Sequence, residues 1–223
     1  GTVGQSSRLL ATTWLNQNMG YAVGLNGTIV RMTNGGSDWE YQNWNFQYRL
    51  NDVYFPTYNV GVIVGDRGII LRTTNNGQSW YEVRPPVETR SLNAVHFIGS
   101  SIGYAVGDYG RVLKTTDAGQ SWFDPVMESA TISDLFGVYF NDSDFGFAVG
   151  ERGTVIFTYN GGESWEVINA NTFADLNDIY FTDINTGYIV GDFGVILRSD
   201  DGGFAWLEKE IITNESFNAV HFT

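Results

Sequence analysis

The sequence repeats itself with a period near 42 residues, and that constrains its fold more than any other feature. A tryptophan recurs at Trp39, Trp80, Trp122, Trp165 and Trp206, at spacings of 41, 42, 43 and 41. Ahead of each lies a glycine-framed apolar run: Gly20-Tyr-Ala-Val-Gly24, Gly61-Val-Ile-Val-Gly65, Gly103-Tyr-Ala-Val-Gly107, Gly146-Phe-Ala-Val-Gly150 and Gly187-Tyr-Ile-Val-Gly191. Another glycine follows three residues later, at Gly27, Gly68, Gly110, Gly153 and Gly194. Upstream sits a leucine with an aromatic pair: Leu50 with Tyr54-Phe55, Leu92 with His96-Phe97, Leu135 with Tyr139-Phe140, and Leu176 with Tyr180-Phe181. A weaker copy, Leu9 with Thr13-Trp14, comes first, and a surplus one, Phe217 with His221-Phe222, comes last. A unit this short cannot bury a core alone, so consecutive units must stack on one another.

Within one unit the pattern reads as four short strands, A to D: Leu50–Phe55, Gly61–Gly65, Gly68–Thr73, and a fourth from Trp80. Each is rich in Val, Ile and aromatics and bounded by Gly, Asn or Asp. The B–C link, Gly65-Asp-Arg-Gly68, predicts a tight hairpin in which glycine supplies positive φ. Four strands at this period predict an all-β chain, a β-propeller of four-stranded antiparallel blades. The expected organisation is one domain over 1–223, with repeats at 8–48, 49–89, 90–133, 134–174 and 175–215 and a partial one at 216–223. The surplus strand leaves two accounts open. Either it closes a five-bladed ring in place of the weak strand at Leu9–Trp14, or the chain is a section of a six- to eight-bladed propeller. The second is expected, because neither end carries start or stop features.

The C–D turn is more specific. Thr116-Asp117-Ala-Gly119-Gln-Ser121-Trp122 has equivalents at Asn34/Gly36/Trp39, Asn75/Gly77/Trp80, Asn160/Gly162/Trp165 and Asp201/Gly203/Trp206. This is the Asp-box (BNR) pattern: an Asx side chain caps its own turn, glycine takes the left-handed position, and tryptophan wedges between strands. With the glycine-framed motif it resembles the photosystem II stability/assembly factor family of propellers across nearly the whole chain. The resemblance implies a non-catalytic scaffold. Family members acting in photosystem assembly carry a basic surface patch, whereas the arginines here are scattered through an acidic chain.

Composition narrows the partners. With 12 basic against 25 acidic side chains, a net of −13, nucleic acid is an unfavourable ligand. The absence of cysteine excludes disulfides, thiolate nucleophiles and zinc–cysteine sites, and no apolar run is long enough for a membrane-spanning helix. No charged-then-apolar leader is visible.

Candidate chemistry is thin. His96 and His221 occupy the slot filled by Tyr54, Tyr139 and Tyr180, which points to framework rather than catalysis. Gly99-Ser-Ser-Ile-Gly103 matches a nucleophile elbow by letter but lies in an A–B loop, not at a strand-to-helix turn. Asp142, Asp144 and Asp183 are loop acids that could meet calcium, although solvation accounts for them. No metal and no cofactor are expected. Arg31, Arg72, Lys114 and Arg198, with Phe157 in the fourth copy, close strand C and are expected to brace the Asp-box turns. Sequons at Asn26, Asn141 and Asn214 occur at the rate an Asn-rich chain produces.

Alternation of strand direction places the B–C turns and the residues entering strand A on one face. That face is expected to collect Asp66, Arg67, Asp108, Tyr109, Glu151, Arg152, Asp192 and Phe193 from the turns. Arg8, Arg49 and Arg90, then Asp134 and Asp175, join them at the strand A approaches, giving a rim basic on one arc and acidic on the other. A second candidate is Tyr41-Gln-Asn-Trp44-Asn-Phe46-Gln-Tyr48, where aromatics and amides alternate and Trp44 sits on an aromatic face. The expected function is a rigid, non-enzymatic scaffold for a protein or glycan partner, within a larger assembly and extracellular or at a bacterial cell surface. The alternatives are a divergent sialidase-like glycoside hydrolase and a lumenal or periplasmic photosystem assembly factor.

Overall fold

The computed structural model describes residues 8–42, 47–84, 90–125, 130–209 and 213–222. Five antiparallel sheets follow one another along the chain. The first holds β1 (Leu9–Asn16), β2 (Met19–Gly24), β3 (Ile29–Thr33) and β4 (Asp38–Gln42), and the second β5 (Leu50–Tyr54), β6 (Gly61–Gly65), β7 (Ile70–Thr73) and β8 (Tyr81–Val83). The third holds β9 (Leu92–Ile98), β10 (Ile102–Gly107) and β11 (Val112–Thr115), and a single bridge between Lys114 and Phe123 stands for its fourth strand. The last two are β12 (Leu135–Phe140) to β15 (Glu166–Asn169), with β13 (Gly146–Gly150) and β14 (Thr154–Thr158) between, and β16 (Leu176–Phe181) to β19 (Leu207–Glu208), with β17 (Gly187–Gly191) and β18 (Ile196–Ser199) between. Each sheet is ordered as its strands occur in sequence. First strands pack on first strands, β1 on β5, β5 on β9, β9 on β12 and β12 on β16, so strand A lines an inner wall. This is a β-propeller. The B strands do not alternate buried and exposed: β6 is buried at every position, because neighbouring blades cover both its faces.

The sixth strand A docks where a further blade would begin. Asn177 donates to the Phe217 carbonyl, Tyr180 to that of Phe222, and Val220 N–H to Asp178. It does not replace the weak N-terminal strand, since β1 pairs with β2 from Leu9↔Gly24 to Asn16↔Met19. The five-bladed closure by substitution is therefore not what the fold adopts.

Blades are joined by a wedge. The Tyr21 ring of β2 lies against Gly77 of the next Asp-box, where a Cβ would come within 2.5 Å of the phenol oxygen, and its hydroxyl donates to the Asn76 carbonyl at 2.5 Å. Tyr104 meets Gly162 in the same way and donates to Gly161 at 2.8 Å. Phe147 meets Gly203 and Val62 meets Gly119. The Asp-box tryptophan closes the wedge edge-on, as Trp80 does to Tyr21 at 79° and Trp206 to Phe147 at 84°. Trp80, Trp122, Trp165 and Trp206 are 3–8% exposed. Trp39 departs from the expectation: it is 52% exposed, with no strand B residue of a preceding blade against it among the described residues. Its indole N–H instead donates to the Gly36 carbonyl at 2.6 Å.

The Asp-box turns brace themselves. Thr115 Oγ1 donates to Asp117, Ser121 N–H and Gly119 N–H close the turn, and Asn75, Asn160 and Asp201 repeat the arrangement. Burial pushes the Asp117 carboxyl up, but the Ser121 and Thr115 hydrogen bonds outweigh it and hold the group below its ordinary value. In the first blade Met32 stands where Thr115 stands, so that hydroxyl brace is missing around Asn34 and Gly36. The strand C cations act across blades, Arg72 donating to the Ala118 carbonyl and Lys114 to that of Gly161.

The inner wall carries a continuous ladder of rings. Tyr54, His96, Tyr139, Tyr180 and His221 follow one another at centroid distances of 5.5, 4.8, 5.4 and 5.0 Å. Tyr54 and Tyr139 donate to the Phe97 and Phe181 carbonyls of the next blade, and His96 makes the equivalent bond to Phe140. Burial lowers the His96 pKa to about 4, which keeps the imidazole neutral as a structural donor. Beside the ladder, Asp52 accepts Val53 and Val95 N–H groups, and Asp178 accepts those of Ile179 and Val220, each at 2.8 Å. Burial lifts Asp52 to about 7 and Asp178 to about 6, against the downward pull of those N–H donors.

Two outcomes follow from this packing. Trp122→Ala should cost about 3–5 kcal/mol of unfolding free energy and Trp39→Ala less than about 1 kcal/mol, read from urea titrations; equal losses would contradict the wedge. Acids whose folded pKa is raised add stability below their unfolded pKa, and that stability is lost as pH rises through the folded value. Buried neutral His96 works the other way, adding stability as pH rises towards its unfolded value of about 6.5. The two acids should give a net decline from about pH 4 to about pH 7, and Asp52→Asn with Asp178→Asn should turn that decline into a rise. An identical profile in the double variant would contradict it.

Candidate functional site

The face carrying the B–C turns forms as the alternation of strands predicts. Each turn returns to the start of its own strand A: Asp66 N–H donates to the Arg49 carbonyl at 2.9 Å, Glu151 to Asp134 at 2.8 Å, and Asp192 to Asp175 at 2.9 Å. The turns of the first and fourth blades also lean on the approach to the next blade, Gly27 N–H on Tyr48 and Gly153 N–H on Ala174. Turns and approaches therefore alternate around one rim.

The acids of this rim serve the framework. Asn51 reaches Asp66 and, across the blade boundary, the Leu92 carbonyl at 2.9 Å. Asn93 does the same with Asp108 and Leu135, and Asn177 with Asp192 and Phe217. Asp134 and Asp175 accept the Tyr109 and Arg152 N–H groups at 2.9 Å, capping the turn of the preceding blade. In the fourth blade Phe136 stands in the asparagine slot, and Glu151 pairs with Arg152 at 3.3 Å. The Asn51–Asn93–Asn177 register was readable in the Leu-Asn motif of strand A, but its role needed the neighbouring blade.

What remains on the surface is basic, then apolar. Arg8, Arg49, Arg67 and Arg90 are exposed over the first three blades, with Arg67 stacked 5.0 Å from the Tyr48 ring and Arg90 5.1 Å from that of Tyr109. Over the third to fifth blades the expected acidic arc gives way to exposed Tyr109, Ile132, Phe173 and Phe193, interrupted by Arg152. Ile132 and Phe173 lie three residues before Leu135 and Leu176, where the other units carry Gln47, Thr89 and Asn214, so they are departures from the repeat rather than part of its pattern. Their only signal was a bare apolar residue in a polar loop. Trp44 lies outside the described residues.

The turn tips are the unusual feature. In Asp66–Ile69 the Ile69 N–H returns to the Asp66 carbonyl at 3.2 Å, and both central residues have positive φ. Such a turn favours Asn-Gly, and the first blade has it at Asn26-Gly27. The other four blades place Arg67, Tyr109, Arg152 and Phe193 at the first central position, with φ of 56–58°. A bulky residue there costs on the order of 1–2 kcal/mol. None of these side chains is buried; Tyr109 is 61% and Phe193 71% exposed. Four strained, exposed side chains thus stand in a row on one face.

Among the described residues, no group of three or more His, Cys, Asp or Glu is arranged to hold a metal, and no helix is long and apolar enough to cross a membrane. The loop acids close their own turns: Asp142 accepts from Asp144 and Phe145, and Asp183 from Asn185 and Thr186.

Comparison with known proteins agrees with the repeat. YCF48 bound to D1 peptide is similar at 22% identity and a TM-score of 0.53, covering 92% of this chain and 82% of that one. YCF48 from Cyanidioschyzon merolae is 17% identical at a TM-score of 0.54, over 96% and 89%. An ancestral GH74 enzyme shares the fold at 17% identity and a TM-score of 0.75, over 94% of this chain and 32% of that one. No curated protein matches the sequence. The sequence profile described as Photosynthesis system II assembly factor YCF48 matches residues 2–91 and 158–223, more than half of the chain, and the protein belongs to that family.

Proposed function

We propose that the protein is a non-catalytic propeller, a single domain over 1–223, that holds a protein partner on the face of the B–C turns. The observation that carries this reading is the row of Arg67, Tyr109, Arg152 and Phe193 in left-handed backbone, each exposed where glycine or asparagine would relieve strain. The contacts these residues make within the chain, Arg67 on Tyr48, Arg90 on Tyr109 and Arg152 with Glu151, are surface ones of small worth, whereas a binding surface gains cationic and aromatic contact area on rigid supports. Arg49 and Arg90 supply the charge at the adjoining strand A approaches, and Asp66, Asp108, Asp134 and Asp175 hold the turns in place.

The basic-then-apolar order suits an extended segment bearing carboxylates at one end and apolar side chains at the other. A YCF48 structure with a D1 peptide is in keeping with a peptide partner. The family relationship favours protein over glycan, and a lumenal or periplasmic setting over the cell surface. It also favours an assembly role over hydrolysis, and the inner-wall tyrosines and His96 are engaged in bonds between blades.

Pull-down from the native source tests the reading. Arg49→Glu with Arg90→Glu should lower partner recovery at least about ten-fold, and Phe193→Asn should lower it without changing the far-ultraviolet circular dichroism. Unchanged recovery in both variants would remove the face as the site.

A further inference from the structure

The opposite face, formed by the A–B loops and the Asp-boxes, carries a feature that the proposed function does not use. Five internal copies show what each Asp-box position needs, so departures from the repeat can be read directly. Eight residues before the tryptophan, Arg31, Arg72, Lys114 and Arg198 share a cationic slot that the fourth blade fills with Phe157. Six residues before it, Thr33, Thr74, Thr116 and Asp200 are replaced by Tyr159. Two residues before it, Ser37, Gln78, Gln120 and Glu163 are replaced in the fifth blade by Phe204. These three departures meet in space. The Phe157 ring lies 6.2 Å from Tyr159 and 5.9 Å from Phe204, and 6.3 Å from the buried wedge residue Phe147.

The substitutions give up a contact that other blades make. Arg72 and Lys114 each donate to a carbonyl of the next Asp-box from the slot Phe157 occupies, and a phenyl ring has no donor to offer. Phe157 recovers some burial by packing against the core, but Tyr159 and Phe204 remain 51% and 57% exposed. The surroundings are anionic. Glu166 pairs across the sheet with Phe157, Glu163 belongs to the Asp-box that follows Tyr159, and Asp200 and Asp201 precede Phe204. Two cations lie nearby and both are engaged, Arg198 by Asp200 at 2.5 Å and Lys114 by the Gly161 carbonyl at 2.7 Å. Exposed ring faces framed by carboxylates suit a desolvated cation above the rings and offer nothing to an anion.

We propose that Phe157, Tyr159 and Phe204 form a second binding site, which takes a lysine or arginine side chain from a basic segment of a partner protein. With the turn face occupied, the propeller would hold two partners on opposite faces. The site is independent of the first, and either can fail alone.

The test is fluorescence-anisotropy titration of a labelled decapeptide containing Lys and Arg but no aromatic residue, at about 150 mM salt to screen general attraction. Tyr159→Thr with Phe204→Gln is the informative variant. It leaves net charge unchanged and installs residues that other blades carry at the same positions, so its urea midpoint should match or exceed that of the unmodified protein. The variant should bind at least about five-fold more weakly, and a Glu-substituted peptide should bind neither protein. Equal affinity for protein and variant would overturn the proposal, because it would reduce binding to attraction by an acidic chain. Equal competition by a neutral Leu/Phe peptide would overturn it too.

Discussion

The contact on which the rest of the structure depends is the seating of a strand B side chain on the Asp-box glycine of the next blade. Tyr21 on Gly77, Val62 on Gly119, Tyr104 on Gly162 and Phe147 on Gly203 are four instances of one joint. A Cβ at any of these glycines would collide with the wedge, and each glycine sits at positive φ. The joint explains why the Asp-box exists as a unit: the capped turn holds the glycine open, and the tryptophan closes the side. It also explains why Trp39 is half exposed while its four counterparts are buried. Among the described residues no strand B side chain reaches it, so it has nothing to close upon.

A ring jointed this way separates framework from surface. The joints, the inner ladder of tyrosine and histidine rings, and the Asn–Asp contacts over the turns consume nearly every polar group that repeats. What is left over stands out because it does not serve the repeat. On one face these are the side chains at the turn tips, in backbone that resists them. On the other they are Phe157, Tyr159 and Phe204, in slots that elsewhere hold polar residues. A rigid frame carrying exceptions on two faces is what the proposed scaffold role requires.

The architecture was legible in the sequence because the repeat states it five times. Strand order, Asp-box chemistry and the shared face of turns and approaches follow from spacing and alternation alone. The rim was less legible. Asp66, Asp108, Asp134 and Asp175 read as binding charges when each unit is taken singly, because their partners, Asn51, Asn93 and two backbone N–H groups, come from another strand or blade. Ile132 and Phe173 share a position three residues before strand A, but polar residues fill it in the other units, and the letters do not show that both side chains stay exposed. The strain at the tips was hidden for a different reason. Glycine marks the second residue of the turn, and the letters do not show that the first shares its left-handed backbone.

The central claim is that bulky residues occupy the turn tips for recognition, at the expense of stability. It is tested most directly by the unfolding free energy of Tyr109→Asn with Phe193→Asn, measured against the unmodified protein by urea titration. Asn26 already shows the residue this turn accepts. The account predicts a gain of roughly 1 kcal/mol for each replaced tip. A loss of stability would contradict it, because it would make Tyr109 and Phe193 part of the framework.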